Sequence, residues 1–464
     1  MDVPQAVSAF SQSDLESLQA GAASDLQLHV PNLTYSDTTS GAPNLTIRGV
    51  GRASRFTGAD VGVGVHINDV YVNSGSLGGA LFDVQQVFVL RGPQGTLYGR
   101  NSTGGATNII TNRPESEFGG YLDLTTGSFD YRSVQGVINV PISDTARFRL
   151  AGYYSESDGY VKNIYNSNYI NGEGVYILRP TLSLDISDRT TVDIIGNLLS
   201  QNDDSLGYDT IGCRRDDNTG LGCLADSLGQ DVPNYMASID GVGLDVSDIV
   251  TVDPFLDAVN PESRFEKSID LEPETKNRLS DISVHMTHDF DEFALTSISS
   301  VLDLDAKALR DSDNVVGTTT FSEPVSLSAI SSDLTGAPGG KVFGVYDRAF
   351  GYNAYKAGSR QYLLELRLAS DSVGSHNFLI GLFYMDFESE SQYIQVTTGL
   401  DAYGQVLSGF GMPSKPPFIY DQNVDSTVKS FAGFGEYYYQ HTPELKFTAG
   451  ARLTHDEKKS SSAD

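Results

Sequence analysis

The sequence predicts two folds in series: a small mixed α/β domain over residues 1–115, then an all-β antiparallel transmembrane barrel over residues 116–464, incomplete at about eleven strands. Three observations carry this expectation. A knot of closely spaced glycines lies between two β-rich runs, Val84–Leu90 and Thr107–Thr111. Beyond Glu115 the chain turns to long runs of alternating character. The links between those runs are short and long by turns, which sorts tight turns to one rim and large loops to the other.

Composition narrows the function classes. The chain has 464 residues, 47 glycines, 24 tyrosines, 22 phenylalanines, no tryptophan and a net charge of -29. So acidic a protein is a poor nucleic-acid binder, because neutralising phosphates requires clustered Lys and Arg. No run approaches the ~18 apolar residues of a membrane-spanning helix. That is neutral for a barrel, whose strands alternate lipid-facing and lumen-facing residues.

Taken in order, VPQAVSAFSQSDLESLQAG opens with a β-like start and continues as a short helix, capped by Ser11 or Ser13 and ended by Gly21. AASDLQLHVPNL gives a second helical turn, ended by Pro31. Asn44–Gly51 is a short strand with Arg48 at its end. Val61–Val72 reads as two strands folded about Asn68-Asp69, a hairpin signal. In the knot, Gly92, Pro93, Gly95, Gly99, Gly104 and Gly105 supply turns and close backbone approach, while Arg91 and Arg100 need carboxylate or carbonyl partners if they are kept from water.

Strands are expected near 119–126, 132–141, 146–157, 175–187, 190–202, 277–290, 293–304, 359–371, 376–391, 427–442 and 445–458. Arg147–Tyr154 places Phe148, Leu150, Gly152 and Tyr154 on one face and Arg147, Arg149, Ala151 and Tyr153 on the other. Leu445–Leu453 separates an apolar face from Lys446, Thr448, Gly450 and Arg452 in the same way. The links Ile142–Thr145, Ser187–Thr190, Asp289–Glu292, Ser370–Ser375 and His441–Glu444 are short, whereas Asp203–Lys276, Asp305–Gly358 and Glu390–Ser426 are long. Asp203–Lys276 holds seventeen Asp or Glu against five Lys or Arg, either to focus cations at a mouth or simply to stay soluble. Both ends read as cut, Lys458–Asp464 as a polar tail in mid-loop.

Val87–Asn101, VFVLRGPQGTLYGRN, followed by Gly104–Pro114, GGATNIITNRP, strongly resembles the last plug-domain motif of TonB-dependent outer-membrane receptors. The opening VPQAVSAF, the NLTIRG strand and the VHINDVYV hairpin resemble three further plug landmarks in the family's order. The phosphate-cradling Gly-x4-Gly-Lys-Ser/Thr form is absent. The resemblance implies a plug over 1–115 and the first part of a barrel of about 22 strands, so the chain is expected to be a fragment. It also implies bacterial outer-membrane localisation and energised uptake of a scarce solute, foremost a ferric siderophore or other iron complex. Carbohydrate or cobalamin uptake, or a surface-binding barrel without transport, are the alternatives. The implied partners are the lipid bilayer, the solute and the TonB energy-transducing protein, whose TonB box is missing from this chain.

By the same resemblance, plug loops meet the solute at Arg52, Arg55, Phe56, Thr57, Ser76 and Leu77, with packing against the wall as the competing role. Arg48, Arg91 and Arg100 are expected to pair with wall carboxylates, either Glu365 and Glu436, which are available here, or partners in the missing half of the barrel. In an oxidising compartment Cys213 and Cys223 are expected to form a disulfide worth roughly 3 kcal/mol, with two free thiols as the alternative. His285 and His288, three apart, fall on opposite faces of a strand and do not make a metal pair. Tyr437, Tyr438 and Tyr439 suit a membrane-interface girdle. No catalytic constellation, metal site or cofactor emerges, and the chain is not expected to be an enzyme.

Overall fold

The computed structural model describes residues 6–37, 43–51, 60–72, 81–204, 213–215, 223–230, 258–312, 314–318, 320–326, 345–348, 351–370, 374–397 and 418–463. In the N-terminal domain, strand β1 (Ala6–Ser11) runs straight into helix α1 (Gln12–Ser17). Ser11 caps it reciprocally: its hydroxyl accepts from the Asp14 amide, and the Asp14 carboxylate accepts from the Ser11 amide at 2.8 Å. A short 3-10 helix, Ala23–Leu28, precedes β2 (Leu33–Asp37) and β3 (Pro43–Ile47), which pair with each other.

The main sheet contains β1 together with β4 (Val63–Ile67), β5 (Val70–Val72), β6 (Val84–Arg91) and β7 (Gly105–Thr111) in the order β1-β6-β7-β4-β5. Asn68 and Asp69 both have positive φ (51° and 64°), as a two-residue hairpin turn requires. Gly105 is obligatory, because at its φ of 156° a Cβ would lie 2.2 Å from the Leu90 carbonyl oxygen. Apolar residues from every layer close a dry core around Ile47, Val87 and Val89, each fully buried.

Eleven strands then form one antiparallel sheet in sequence order: Gly119–Thr126, Arg132–Ser143, Ala146–Ser157, Glu173–Ser187, Thr190–Asp203, Glu274–Asp289, Phe293–Asp311, Gly351–Ser370, His376–Thr397, Phe418–Thr442 and Leu445–Ala463. All eleven expected strands are present. Several run further than expected at the end away from the tight turns, and Ser460–Ala463, read as part of a loop, pairs with Asn423–Ser426. Backbone ladders continue wherever neighbours supply partners, so a strand outlasts the apolar alternation that marks it in sequence.

The wall curves around the N-terminal domain. Phe82 packs on Val137, Ala151, Val175 and Ile177; Val72 packs on Leu279 and Leu302; Val70 and Tyr71 pack on Ile298, Leu363 and Phe383. One face of each wall strand is thereby committed to the domain. The other leaves Leu122, Ile142, Leu382, Phe431 and Leu453 exposed. The linker is pinned as it enters the wall, where Asn139 accepts from the Glu115 amide and donates to the carbonyls of Glu115 and Glu117.

Candidate functional site

The functional geometry lies in the seam between domain and wall. Asp83 immediately precedes β6, and its side chain is 1% exposed. Arg149 meets it bidentately, Nε at 3.1 Å and Nη2 at 2.5 Å. Beside it Arg179 donates to the Phe82 carbonyl at 3.2 Å and to Asn197 at 2.6 Å, its guanidinium lying 5.2 Å from the Phe82 ring centre. Arg113, just past β7, donates to Asp193 of the wall at 3.1 Å and to Asn68 of the hairpin turn at 3.0 Å.

The Asn68-Asp69 turn is held from both sides. Asn108 of β7 donates to Asp69 at 2.6 Å, and Arg367 of the wall, itself paired with Glu365, lies 3.6 Å from Asp69. Gln361 donates to the Tyr71 carbonyl at 2.6 Å. A cavity of about 100 Å³ opens here between His66, Asp69, Tyr98, Glu365, Arg367 and Arg452. Burial pushes His66 down to about 4, so its ring is neutral, packed edge-on against Tyr71 and Tyr98. Arg452 reaches across the seam between Phe383 and Phe434, and Gly99 makes room for it, since a Cβ there would lie 2.7 Å from the guanidinium.

Nearer the large loops, Asp60 joins Arg100 at 2.8 Å and Lys458 of the wall at 3.2 Å. Burial opposes its charge, yet the Lys458 hydrogen bond and Arg100 hold its carboxyl below the usual range.

Among the described residues neither Arg48 nor Arg91 meets a wall carboxylate. Arg48 lies in an exposed turn at φ 54°, and among the described residues it makes no ion pair. Arg91 is half-buried, also without a carboxylate among the described residues, and its Nε has no hydrogen-bond partner. Arg100 contacts Asp60 and stands 4.0 Å from Asp456 of the wall. Glu365 is taken by Arg367 and Glu436 by the Tyr438 hydroxyl. Ion pairs cross the seam in both directions: Arg113 and Arg100 of the domain meet Asp193 and Asp456 of the wall, while Asp69, Asp83 and Asp60 meet Arg367, Arg149 and Lys458. Asp69, Asp83, Arg113, Arg149 and Arg367 were missed in sequence. A charged residue at an inward-facing position of an otherwise apolar strand, such as Arg149 in RFRLAGYY, was the available signal.

Arg52, Arg55, Phe56, Thr57, Ser76 and Leu77 lie outside the described residues. Cys213 and Cys223 stand on opposite strands of a hairpin, Cys213 opposite Ala225 and Arg215 opposite Cys223, with their side chains outside the described set. His285 contacts Ser283 and His288 contacts Thr190, so they are not brought together. Tyr437 and Tyr439 share the outward face with His376 and Phe447 near the tight-turn rim, while Tyr438 turns inward to Glu436.

Residues 1–106 match the TonB-dependent receptor plug domain family. The pesticin receptor of Yersinia pestis is 38% identical over 100 residues, 22% of this chain and 15% of that protein. The vitamin B12 transporter of Vibrio vulnificus is 25% identical over 240 residues, 50% of this chain and 38% of that protein. Among solved structures, the ferric yersiniabactin uptake receptor of Yersinia pestis superposes with a TM-score of 0.70 at 16% identity, covering 99% of this chain and 57% of that one. The ferric-catecholate import receptor of E. coli K12, in its closed form, gives 0.64 at 16% identity, covering 99% and 57%. The chain thus spans little more than half the length of these solved receptors. Residues 1–106 therefore carry a match to the TonB-dependent receptor plug domain, seated inside eleven consecutive antiparallel strands whose fold is that of those solved barrels.

Proposed function

We propose that the chain is the plug, residues 1–115, and the first half of the barrel, residues 116–464, of a TonB-dependent receptor in the bacterial outer membrane. It serves the energised uptake of a scarce solute, most specifically a ferric siderophore or other iron complex. The observation that carries this reading is how the plug is seated. It has its own dry core, while ion pairs and hydrogen bonds to carbonyls run through its contact with the wall, and such contacts can exchange with water when the plug shifts. The iron cargo is supported by the names of relatives and neighbours, which include receptors for ferrioxamine B, yersiniabactin and catecholates. Cobalamin is the second reading, favoured by the 240-residue match to a vitamin B12 transporter.

The TonB protein is the proposed inner-membrane partner, and transport rather than catalysis the proposed role. Arg52, Arg55, Phe56, Thr57, Ser76 and Leu77 are proposed to meet the solute, and Cys213 and Cys223 to form a disulfide at a loop tip. The test is growth of a receptor-deleted host expressing the full-length gene on ferric siderophores, cobalamin or glycans as sole source. Rescue by one class of iron chelate is expected; rescue by cobalamin alone would replace the iron reading. Arg55→Ala should reduce uptake several-fold without leakage, and mass mapping of the exported protein should find Cys213 joined to Cys223.

A further inference from the structure

Side-chain alternation splits the wall near the large loops into two faces of different chemistry. The inward face is marked by its contacts with the plug: Gln361 donates to the Tyr71 carbonyl, Phe387 and Val428 cluster with Tyr71, and Leu199 and Leu279 cluster with Val72. Two residues further toward the large loops, on that same face, stand Ser359, Ser389 and Ser426, side by side in register and continued by Ser460. Gln201 stands likewise beside Asn277, which donates to it at 3.2 Å. At these levels the cations lie on the outward face, as Lys276, Arg278, Lys307, Lys356 and Arg360. Among the described residues the inward rows from Ser389 to Tyr393 hold no Lys or Arg. The topmost of these rows sets Glu173 directly opposite Asp203, two like charges that repel across the strand pair. Lower down, the cations that do face the lumen are engaged: Arg149 by Asp83, Arg147 by Asp185, Arg367 by Glu365 and Lys458 by Asp60.

We propose, resting on the iron-uptake reading above, that the cargo is an iron complex of zero or positive net charge: a ferric trihydroxamate, above all one with a pendant ammonium, in preference to a ferric tris-catecholate. Each hydroxamate gives up a single proton on binding iron, so three of them balance the ferric charge. Each catecholate gives up two, which leaves a trianion. The row of serine hydroxyls and the Gln201 and Asn277 amides can solvate a neutral chelate as it passes the wall. An ammonium between Glu173 and Asp203 relieves the repulsion between them. A trianion meets those carboxylates instead, and the lumen cations that could neutralise it are already paired with the plug or the wall. Arg52 and Arg55, proposed at the plug apex, then donate to hydroxamate oxygens.

Equilibrium dialysis of the purified full-length receptor compares three probes: a linear ferric trihydroxamate with a terminal ammonium, the same complex N-acetylated, and a ferric tris-catecholate. Wild type should bind them in that order, the ammonium form most tightly. Glu173→Gln with Asp203→Asn should shrink the preference for the ammonium form over the acetylated one by roughly fivefold, the contribution of one partly exposed ion pair. Ser389→Lys, which places a cation on the lumen face, should shift the preference toward the tris-catecholate. If a variant fails to assemble, the wild-type order decides alone. Tightest binding of the tris-catecholate, or a ratio between the two trihydroxamates that the double variant leaves unmoved, overturns the proposal while iron uptake stands. If none of the three binds and cobalamin alone supports growth of the receptor-deleted host, iron uptake itself falls and the proposal with it.

Discussion

The plug core and the seam around it are both buried, yet they are built from different materials. Ile47, Val87 and Val89 sit in a core of aliphatic side chains, where separation would expose hydrocarbon to water. A few residues away, Asp69, Asp83 and Arg113 face Arg367, Arg149 and Asp193 across the seam, interleaved with apolar contacts of Val70, Tyr71, Val72 and Phe82 to the wall. Apolar contact holds without regard to direction, whereas each ion pair fixes position and can be handed over to water at modest net cost. The contrast describes a body that keeps its own shape while its hold on the wall is positional.

The largest expected effect comes from breaking the driest pair in the seam. Arg149→Ala strands Asp83 in a site closed to water, at roughly 3–5 kcal/mol. The plug should loosen from the wall without unfolding, seen as sensitivity to large antibiotics with barrel abundance unchanged. Removing both charges while keeping a residue suited to the positive φ of 49° at position 83, Asp83→Asn with Arg149→Met, should recover most of the loss. If the double variant leaks as badly as the single one, the pair has a role beyond mutual neutralisation.

Ile47→Ala acts on the other side of the comparison. Emptying a fully buried isoleucine site costs about 2–5 kcal/mol, and the loss falls on the plug's own fold. Protease should then cut within the plug while the wall survives. Wall-first digestion would show that the two regions do not fold as separate bodies.

His66 lies where core and seam meet, and its effect depends on pH. Its folded value of about 4 lies below the ordinary 6.5, so the folded plug binds the proton less readily than the unfolded chain does. Stability from this group is complete above pH 6.5 and is lost as pH falls toward 4, by up to about 3 kcal/mol. Protection factors of the β4 amides, with the intrinsic pH dependence of exchange divided out, should fall accordingly from pH 7 to 4, and His66→Phe should flatten that part of the profile.

Sequence reading recovered the fold more fully than the seam, for a physical reason. Strand alternation, the Asn68-Asp69 turn and the glycines of the knot are local necessities, and each leaves its mark within a few residues. The pairing of Asp83 with Arg149, 66 residues apart, depends on how deep the plug sits and on which wall strand faces it. No local spacing records either quantity. Family resemblance pointed to arginines meeting wall glutamates. Glu365, however, is already engaged by Arg367, two residues away on the same face of its own strand.

Arg91 gives the smallest and most discriminating prediction, because its sequence neighbourhood marks it as a lock while its surroundings do not. It ends β6, half-buried, with Nε closed to water and unpartnered, and among the described residues no carboxylate meets it. Among the described residues, removing such a group strands no opposing charge. Arg91→Ala should therefore cost only the packing of its stem, about 1 kcal/mol. Arg91→Met keeps that stem and removes the unsatisfied donor, so it should be neutral or slightly stabilising. Measured beside Arg149→Ala in the full-length receptor, Arg91→Ala should leave antibiotic sensitivity close to wild type. Equal leakage from the two variants would mean that Arg91 holds the plug as firmly as the Asp83 pair does, and the division drawn here between positional ion pairs and packed stems would fail.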